Sequence, residues 1–464
     1  MINKRWINLS LFYFLSIAII GCLIRFGFFS GNFITQYKYL LHTHSHIAFL
    51  GWIYPSLFIL ITNNFINEEN ILKNKYKLQF YITQILIIFM FFSFLKQGYG
   101  FFSILFSSLF QLMTYWFTFS FFKDSKRQGL LEKNSVKFIR IGLLSLVISS
   151  IGTWSLPIIV AKHLNETNWY NSAIYFYLHF QYNGWFLFSL LGLFLGVLEK
   201  EFQNRELNIN SESNSTLKFN SNVLNENEFK TSYGVSTPQE EGSGGSAPVT
   251  LETLEQSSEV FSNNNKTKKL KNSLFYLALA LVPSYFLSII GLINNDIIKI
   301  IAFIGSIFEI IGLFYFFNNI IENKNIVSNL TKSFLDKIIL FVPLIALGIK
   351  IMLQFLSNLN YFHELAFTNR FIVLSYLHLT LIGFTSLLLI FLLKKEGYLY
   401  LDTKLANSSI IILLFGFTFS EGILSLVGLS IYIPNALFLI LIFSLLMALG
   451  ILGIFINNLI FNKK

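Results

Sequence analysis

The chain has 464 residues, 54% of them hydrophobic and 17% aromatic, with only 12% charged, 54 Phe and a single Cys. A water-soluble domain carries about 25% charged residues and a disordered chain has little apolar content, so both classes are excluded, and a lone cysteine rules out a disulfide framework. What remains is an integral membrane protein, and the net charge of +10 points to nucleic acid only if the bases form one solvated patch.

Apolar stretches of about 20 residues bounded by polar clusters predict membrane spans at 7–29, 42–62, 77–95, 99–122, 138–160 and 171–197. Further stretches follow at 272–293, 297–320, 335–356, 371–393, 407–428 and 433–460. None has the alternating period of a membrane β-strand, so the expected fold is all-α, a twelve-helix transmembrane bundle. The chain divides into spans one to six (1–198), a polar loop (199–271) and spans seven to twelve (272–464). The loop is rich in Asn, Ser and Glu, holds eleven acids and eight bases, and reads as disordered and cytoplasmic. Its stretch Gly242, Ser243, Gly244, Gly245, Ser246 has the composition of a flexible linker.

The Lys and Arg residues then set an orientation. With both termini cytoplasmic, 27 of the 34 bases fall on the cytoplasmic side, and Arg25, Lys38, Lys96, Lys162, Lys299, Lys350 and Arg370 remain. The positive charge is thus a topology signal for a multi-pass protein of the plasma (inner) membrane. The lipid bilayer is the expected partner, and no nucleic acid is needed.

All seven histidines fall on the outer side in this orientation. His46, His179 and His378 lie within the first ten or so residues of spans two, six and ten, roughly 6 to 15 Å below the outer surface at 1.5 Å per residue. Each opens the pattern His-x-x-x-x-Gly-(Trp or Phe): His46 with Gly51 and Trp52, His179 with Gly184 and Trp185, and His378 with Gly383 and Phe384. Recurrence on every fourth span suggests three pseudo-related four-helix units. Small residues are common at any membrane helix contact, but a ring nitrogen in hydrocarbon is costly unless paired or bound, and imidazole is the commonest metal ligand. Two histidines from facing helices can supply both axial bonds of a haem iron. His44 and His46 are about 200° apart around a helix and face nearly opposite sides, so they suit two different sites.

The span count, the histidines of spans two, six and ten, and the run from His44 through His46 to Gly51 and Trp52 together resemble the haem-copper oxidase superfamily. The likeness is to the catalytic subunits of C-type oxidases and nitric oxide reductases. It implies a low-spin haem, expected to be b-type, held by His46 and His378, with His44 and Arg25 as further cofactor contacts. A quinol or cytochrome would be the electron donor. It also implies a copper or non-haem iron near His179, with Asn183 behind that histidine where nitric oxide reductases carry a glutamate. The chain departs from the family in span seven, which has no histidine, and in span ten, where Tyr376 precedes His378 in place of His-x-His. A standard binuclear centre is therefore not expected. A weaker resemblance is to the NnrS family of haem- and copper-containing membrane proteins.

Glu309 in span eight and Glu421 in span eleven cost about 2.5 kcal/mol or more if charged, so each is expected to be protonated, paired or part of a proton relay. Lys350 is expected to snorkel towards the outer interface. Glu166, and Glu364 beside His363, offer a candidate outer metal site. These residues support electron transfer with nitric oxide or oxygen reduction. They are also compatible with a transporter or channel for protons, metal ions or a small solute, or with a haem sensor or assembly protein without turnover.

Overall fold

The apolar runs fold as helices, and no strand occurs among the described residues of the computed structural model, which are 6–31, 36–164, 166–205, 268–293 and 295–461. Ten helices among them are long and apolar enough to cross a membrane. In chain order these are α1 (Ile7–Ser30), α2 (Tyr37–Phe65), α3 (Tyr76–Gln97), α4 (Phe101–Arg127) and α5 (Asn134–Ala161). After two further helices, α6 (168–205) and α7 (268–280), come α8 (Asp296–Glu322), α9 (Phe334–Leu356), α10 (Arg370–Lys395), α11 (Lys404–Gly428) and α12 (Ala436–Phe461). Large side chains such as Phe92, Phe101, Phe119 and Phe314 are more than 60% exposed. Apolar surface on that scale suits lipid and not water, and the chain is a multi-pass membrane protein.

Two sequence expectations shift. The apolar run 272–293 is not one helix: α7 ends at 280 and a 3-10 segment, Pro283–Ser288, takes over, because Pro283 has no N–H to continue the ladder. The polar loop also contracts at both ends, since 199–205 and 268–271 are helical. The remainder of that loop, 206–267, lies outside the described residues, as do Lys4, Arg5, Lys463 and Lys464.

Helices α2, α6 and α10 form the centre. In the most apolar windows of α2 and α10, 78% and 67% of residues are buried, against 28–44% in the other eight spanning helices, and residues 179–198 of α6 are buried throughout. The three touch one another directly. Trp52 Nε1 donates to Ser386 Oγ at 2.9 Å, Phe49 packs edge-on against Tyr182 and Phe186, and Phe194 meets Phe391. Between lipid-embedded helices such packing and hydrogen bonds carry the association, each bond contributing about 0.6 kcal/mol.

Each central helix changes pitch next to its motif histidine. A π-helical segment follows His46 at Ala48–Ile53, His179 at Phe180–Phe186 and His378 at Leu379–Ser386. Each contains the motif glycine, which lets a neighbour approach: Tyr13 of α1 at Gly51, Ser145 of α5 at Gly184 and Phe417 of α11 at Gly383. The wider turn frees carbonyls, and hydroxyls five residues on satisfy two of them, Thr385 Oγ1 to Thr380 O and Ser386 Oγ to Leu381 O. Such segments are rare and concentrate at functional sites.

Polar contacts mark the two ends of the bundle. At the proximal end Lys200 pairs with Glu396 at 2.8 Å, Asp336 pairs with Lys394 and Lys395, and Lys394 also reaches Asp402. At the distal end, where α2 begins, Arg370 donates to Tyr37 Oη at 3.0 Å and Asn369 to Gly428 O at 2.8 Å.

Candidate functional site

A cavity of about 390 Å3 opens between α1, α2, α10, α11 and α12, within the size range of cofactor pockets. Its wall is apolar, with Phe14, Trp52, Leu381 and Met447 among its residues, and it contains two histidines, His44 and His378.

His44 turns its Nδ1 to the Ile17 carbonyl of α1 at 3.0 Å, so the hydrogen sits on Nδ1 and the Nε2 lone pair is free. Gly21 makes room for this ring, since a Cβ there would stand 3.1 Å from His44 Cε1. His378 is held in the same sense by a stronger partner. Its Nδ1–H donates to Glu421 Oε2 at 2.9 Å, and the other oxygen of that carboxylate takes Arg25 Nη2 at 2.9 Å and Ser420 Oγ at 3.1 Å. Arg25 Nη1 donates to Ser420 and Ser444. Arg25 Nη2 also lies 3.4 Å from His378 Nδ1, but two donors face each other there and the contact is no hydrogen bond. Among the described residues neither His44 Nε2 nor His378 Nε2 has a hydrogen-bond partner. Anchoring one ring nitrogen on a carbonyl or carboxylate is how proteins orient a metal-binding imidazole. The site thus presents two pre-oriented imidazoles, His44 and His378, on one apolar cavity, and that donor set is of the kind a bis-histidine haem takes. Arg370 and Tyr37, joined to each other at the distal end, also line the cavity.

His46, which the resemblance placed opposite His378, faces the other way. Its Nδ1 bonds His42 O at 2.9 Å, its Nε2 lies 3.3 Å from Tyr99 Oη, and its ring stacks on Phe94 of α3. The half-turn between His44 and His46 gives the cavity to His44.

His179 lies in a second polar cluster. Its Nε2–H donates to Leu281 O at 2.8 Å and Asn183 Nδ2 donates to its Nδ1 at 3.1 Å. The Leu281 carbonyl is open because the break at Pro283 redirects Tyr285 N–H to Val282 O. Asn183 does stand behind His179, but both ring nitrogens are engaged, so this arrangement leaves no lone pair for the copper or iron that the motif suggested. Asn183 Oδ1 instead accepts from Lys350, which also donates to Gln354 Oε1 at 2.6 Å and stands 3.7 Å from Glu309 Oε1. Lys350 does not snorkel: its side chain is wholly buried, as is that of Glu309 at 3% exposure. An ammonium in hydrocarbon is favourable only with such partners.

Glu309 and Glu421 therefore both occur as buried, paired acids. Among the described residues no group of three or more His, Cys, Asp or Glu is arranged to hold a metal ion, at His363 and Glu364 included. Sequence reasoning missed Gly21, Tyr37, Ser420 and Ser444. Only Gly21 left a signal there, four residues before Arg25 and so on the same face of α1. No family model matches this chain, and no curated protein matches it either.

Proposed function

We propose that this protein is a membrane haem protein of the haem-copper oxidase type with a reduced metal complement, its haem held by His44 and His378. The observation that carries this reading is the pair of histidines, from α2 and α10, that line one apolar cavity with each Nδ1 hydrogen committed to the protein. A bound b-type haem supplies one-electron transfer there. The chain contributes the rest: Ile17 O and Glu421 orient the two imidazoles, Arg25 neutralises Glu421, the apolar wall excludes water, and Arg370 with Tyr37 offers donors for carboxylates at the distal end.

The fuller architecture belongs to the same reading: twelve passes, three related four-helix units around α2, α6 and α10, and both termini on the cytoplasmic side of the plasma membrane. The concentration of bases at the proximal end and the three π-helical segments support it. The donor would be a quinol or a cytochrome at the distal side. A second metal is not part of the proposal, because His179 is bonded at both nitrogens and Lys350 brings a cation to Asn183.

A transporter is the second reading, favoured by the buried Glu309 and Lys350. A reduced-minus-oxidised spectrum of the purified protein separates the two, since a transporter is colourless. Consumption of nitric oxide or oxygen by the pigmented protein then separates an enzyme from a sensor or an electron carrier. A colourless preparation from haem-supplied cells sinks the proposal.

A further inference from the structure

A buried polar stripe runs from the Glu309 and Lys350 pair to the distal end of the bundle. On α9 and the turn after it, Lys350, Gln354 and Asn358 follow at four-residue intervals on one face, about 12 Å along the axis. On α8, Ser306 stands one turn distal to Glu309. The two helices are joined at both levels. Asn358 Nδ2 donates to Ser306 Oγ at 3.0 Å, while Lys350 donates to Gln354 and pairs with Glu309.

Two acceptors on this stripe are orphaned. Glu309 Oε2 and Asn358 Oδ1 are both buried without a hydrogen-bond partner, and the Glu309 side chain is only 3% exposed. An unpaired carboxylate oxygen in hydrocarbon is too costly to stand empty, and water is the occupant that such groups take. The 3.7 Å gap between Lys350 Nζ and Glu309 Oε1 is likewise too long for a direct hydrogen bond and suits a bridging water.

The proximal side of the pair is different. Leu313 and Phe316 of α8 are buried, and Phe316 packs against Phe138 and Phe194. On α9 the next residues below Lys350 include Leu347, Leu344 and Leu340, all buried. Among the described residues, positions 310–314 of α8 and 339–349 of α9 carry no polar side chain, so on these two helices the stripe stops at the pair. The other titratable groups facing the pair are Tyr376 from α10 and, beyond Asn183, His179 from α6.

We propose that the Asn358, Ser306 and Gln354 stripe is a water-holding half-channel through which the Glu309–Lys350 pair exchanges protons with the distal side only. The ligand is water and the proton it carries, which passes between Lys350 Nζ and Glu309 without any oxidant or reductant. The site is separate from the haem cavity and stands or falls without it.

The single native cysteine makes an accessibility test direct. In a Cys22→Ser background, Gln354→Cys, Asn358→Cys and Phe316→Cys are each exposed to Ag+ from one side of sealed vesicles of known sidedness. Free thiols are then counted with a maleimide after unfolding. Thiols at 354 and 358 are expected to react at least tenfold faster with distal than with proximal Ag+, and the thiol at 316 to be protected from both sides. Protection at 354 from both sides, or equal reaction from both, overturns the proposal. Hydroxyl-radical footprinting of the wild-type protein, which oxidises side chains beside internal water, covers a variant that fails to fold. Oxidation at Lys350 is expected, and its absence equally overturns the proposal.

Discussion

Replacing Glu421 by glutamine tests the charge behind His378 while keeping its shape. The glutamine Oε1 accepts the Nδ1 hydrogen where the carboxylate does now, at 2.9 Å, so the ring keeps its orientation and pigment is retained, while the amide nitrogen replaces the oxygen that accepts from Arg25 and Ser420 and those two bonds are lost. A hydrogen bond to a charged group contributes about 1.5–3 kcal/mol and a neutral one about 0.5–1.5 kcal/mol. Roughly 1–1.5 kcal/mol of preference for the extra positive charge of ferric iron is therefore lost. Arg25, 2.9 Å from the same carboxylate, is left without its anion and acts in the same direction. Since 1.4 kcal/mol is a factor of ten, the ferric form weakens about tenfold against the ferrous form, or about 59 mV for one electron. A potentiometric titration followed at a haem band should show the midpoint rise by that amount or more. An unchanged midpoint in a fully pigmented variant refutes the idea that this charge reaches the iron through His378. Loss of pigment refutes the view that a neutral acceptor is enough to orient the ring.

Three further outcomes follow from the same geometry. Gly21→Val should deplete pigment without altering either histidine, because a Cβ there stands 3.1 Å from His44 Cε1 and displaces the ring from the Ile17 carbonyl; a full haem-to-protein ratio contradicts this. Lys350→Met strands Glu309 in hydrocarbon and should cost about 3–5 kcal/mol in reversible detergent unfolding, while adding Glu309→Gln should recover most of the loss. Equal losses in the single and double variants would show that the pair is not coupled. In the distal helix Asn360–Thr368, burial first and then the Lys299 ammonium hold the His363 pKa below its ordinary value, with Glu364 opposing. Its folded-state pKa is thus below the unfolded value of about 6.5, so this helix is most stable above that pH and loosens as pH falls through it. Amide exchange over 360–368, corrected for intrinsic rate, should show loss of protection between pH 7.5 and 5.5 that His363→Gln abolishes.

Much of the membrane architecture was legible in the sequence because hydrocarbon imposes it: a 20-residue apolar run in lipid has few options besides a helix. The His-x-x-x-x-Gly repeats likewise marked the three helices that form the centre. The choice between His44 and His46 was not legible. It depends on which face of α2 meets α1, where Gly21 leaves space and Ile17 offers a carbonyl, and on the pitch change that begins at Ala48. The fate of Lys350 was hidden for a similar reason. Snorkelling is the default for a lysine with no partner, and its partners Asn183 and Glu309 lie 167 and 41 residues away in the chain. Pro283 was visible, yet its consequence depended on His179 being at hand to take the Leu281 carbonyl. In each case local pattern named the residue, and packing between distant helices assigned its partner.

The central claim is that His44 and His378 hold a haem, and reduced-minus-oxidised spectra of the wild type and three single variants test it most directly. His44→Ala and His378→Ala should each abolish the low-spin haem band in a folded, membrane-inserted protein. His46→Ala, which removes contacts to the His42 carbonyl, Phe94 and Tyr99 and none to the cavity, should keep the band. A band that survives the loss of His44 or His378, or one that disappears with His46 alone, would contradict the account.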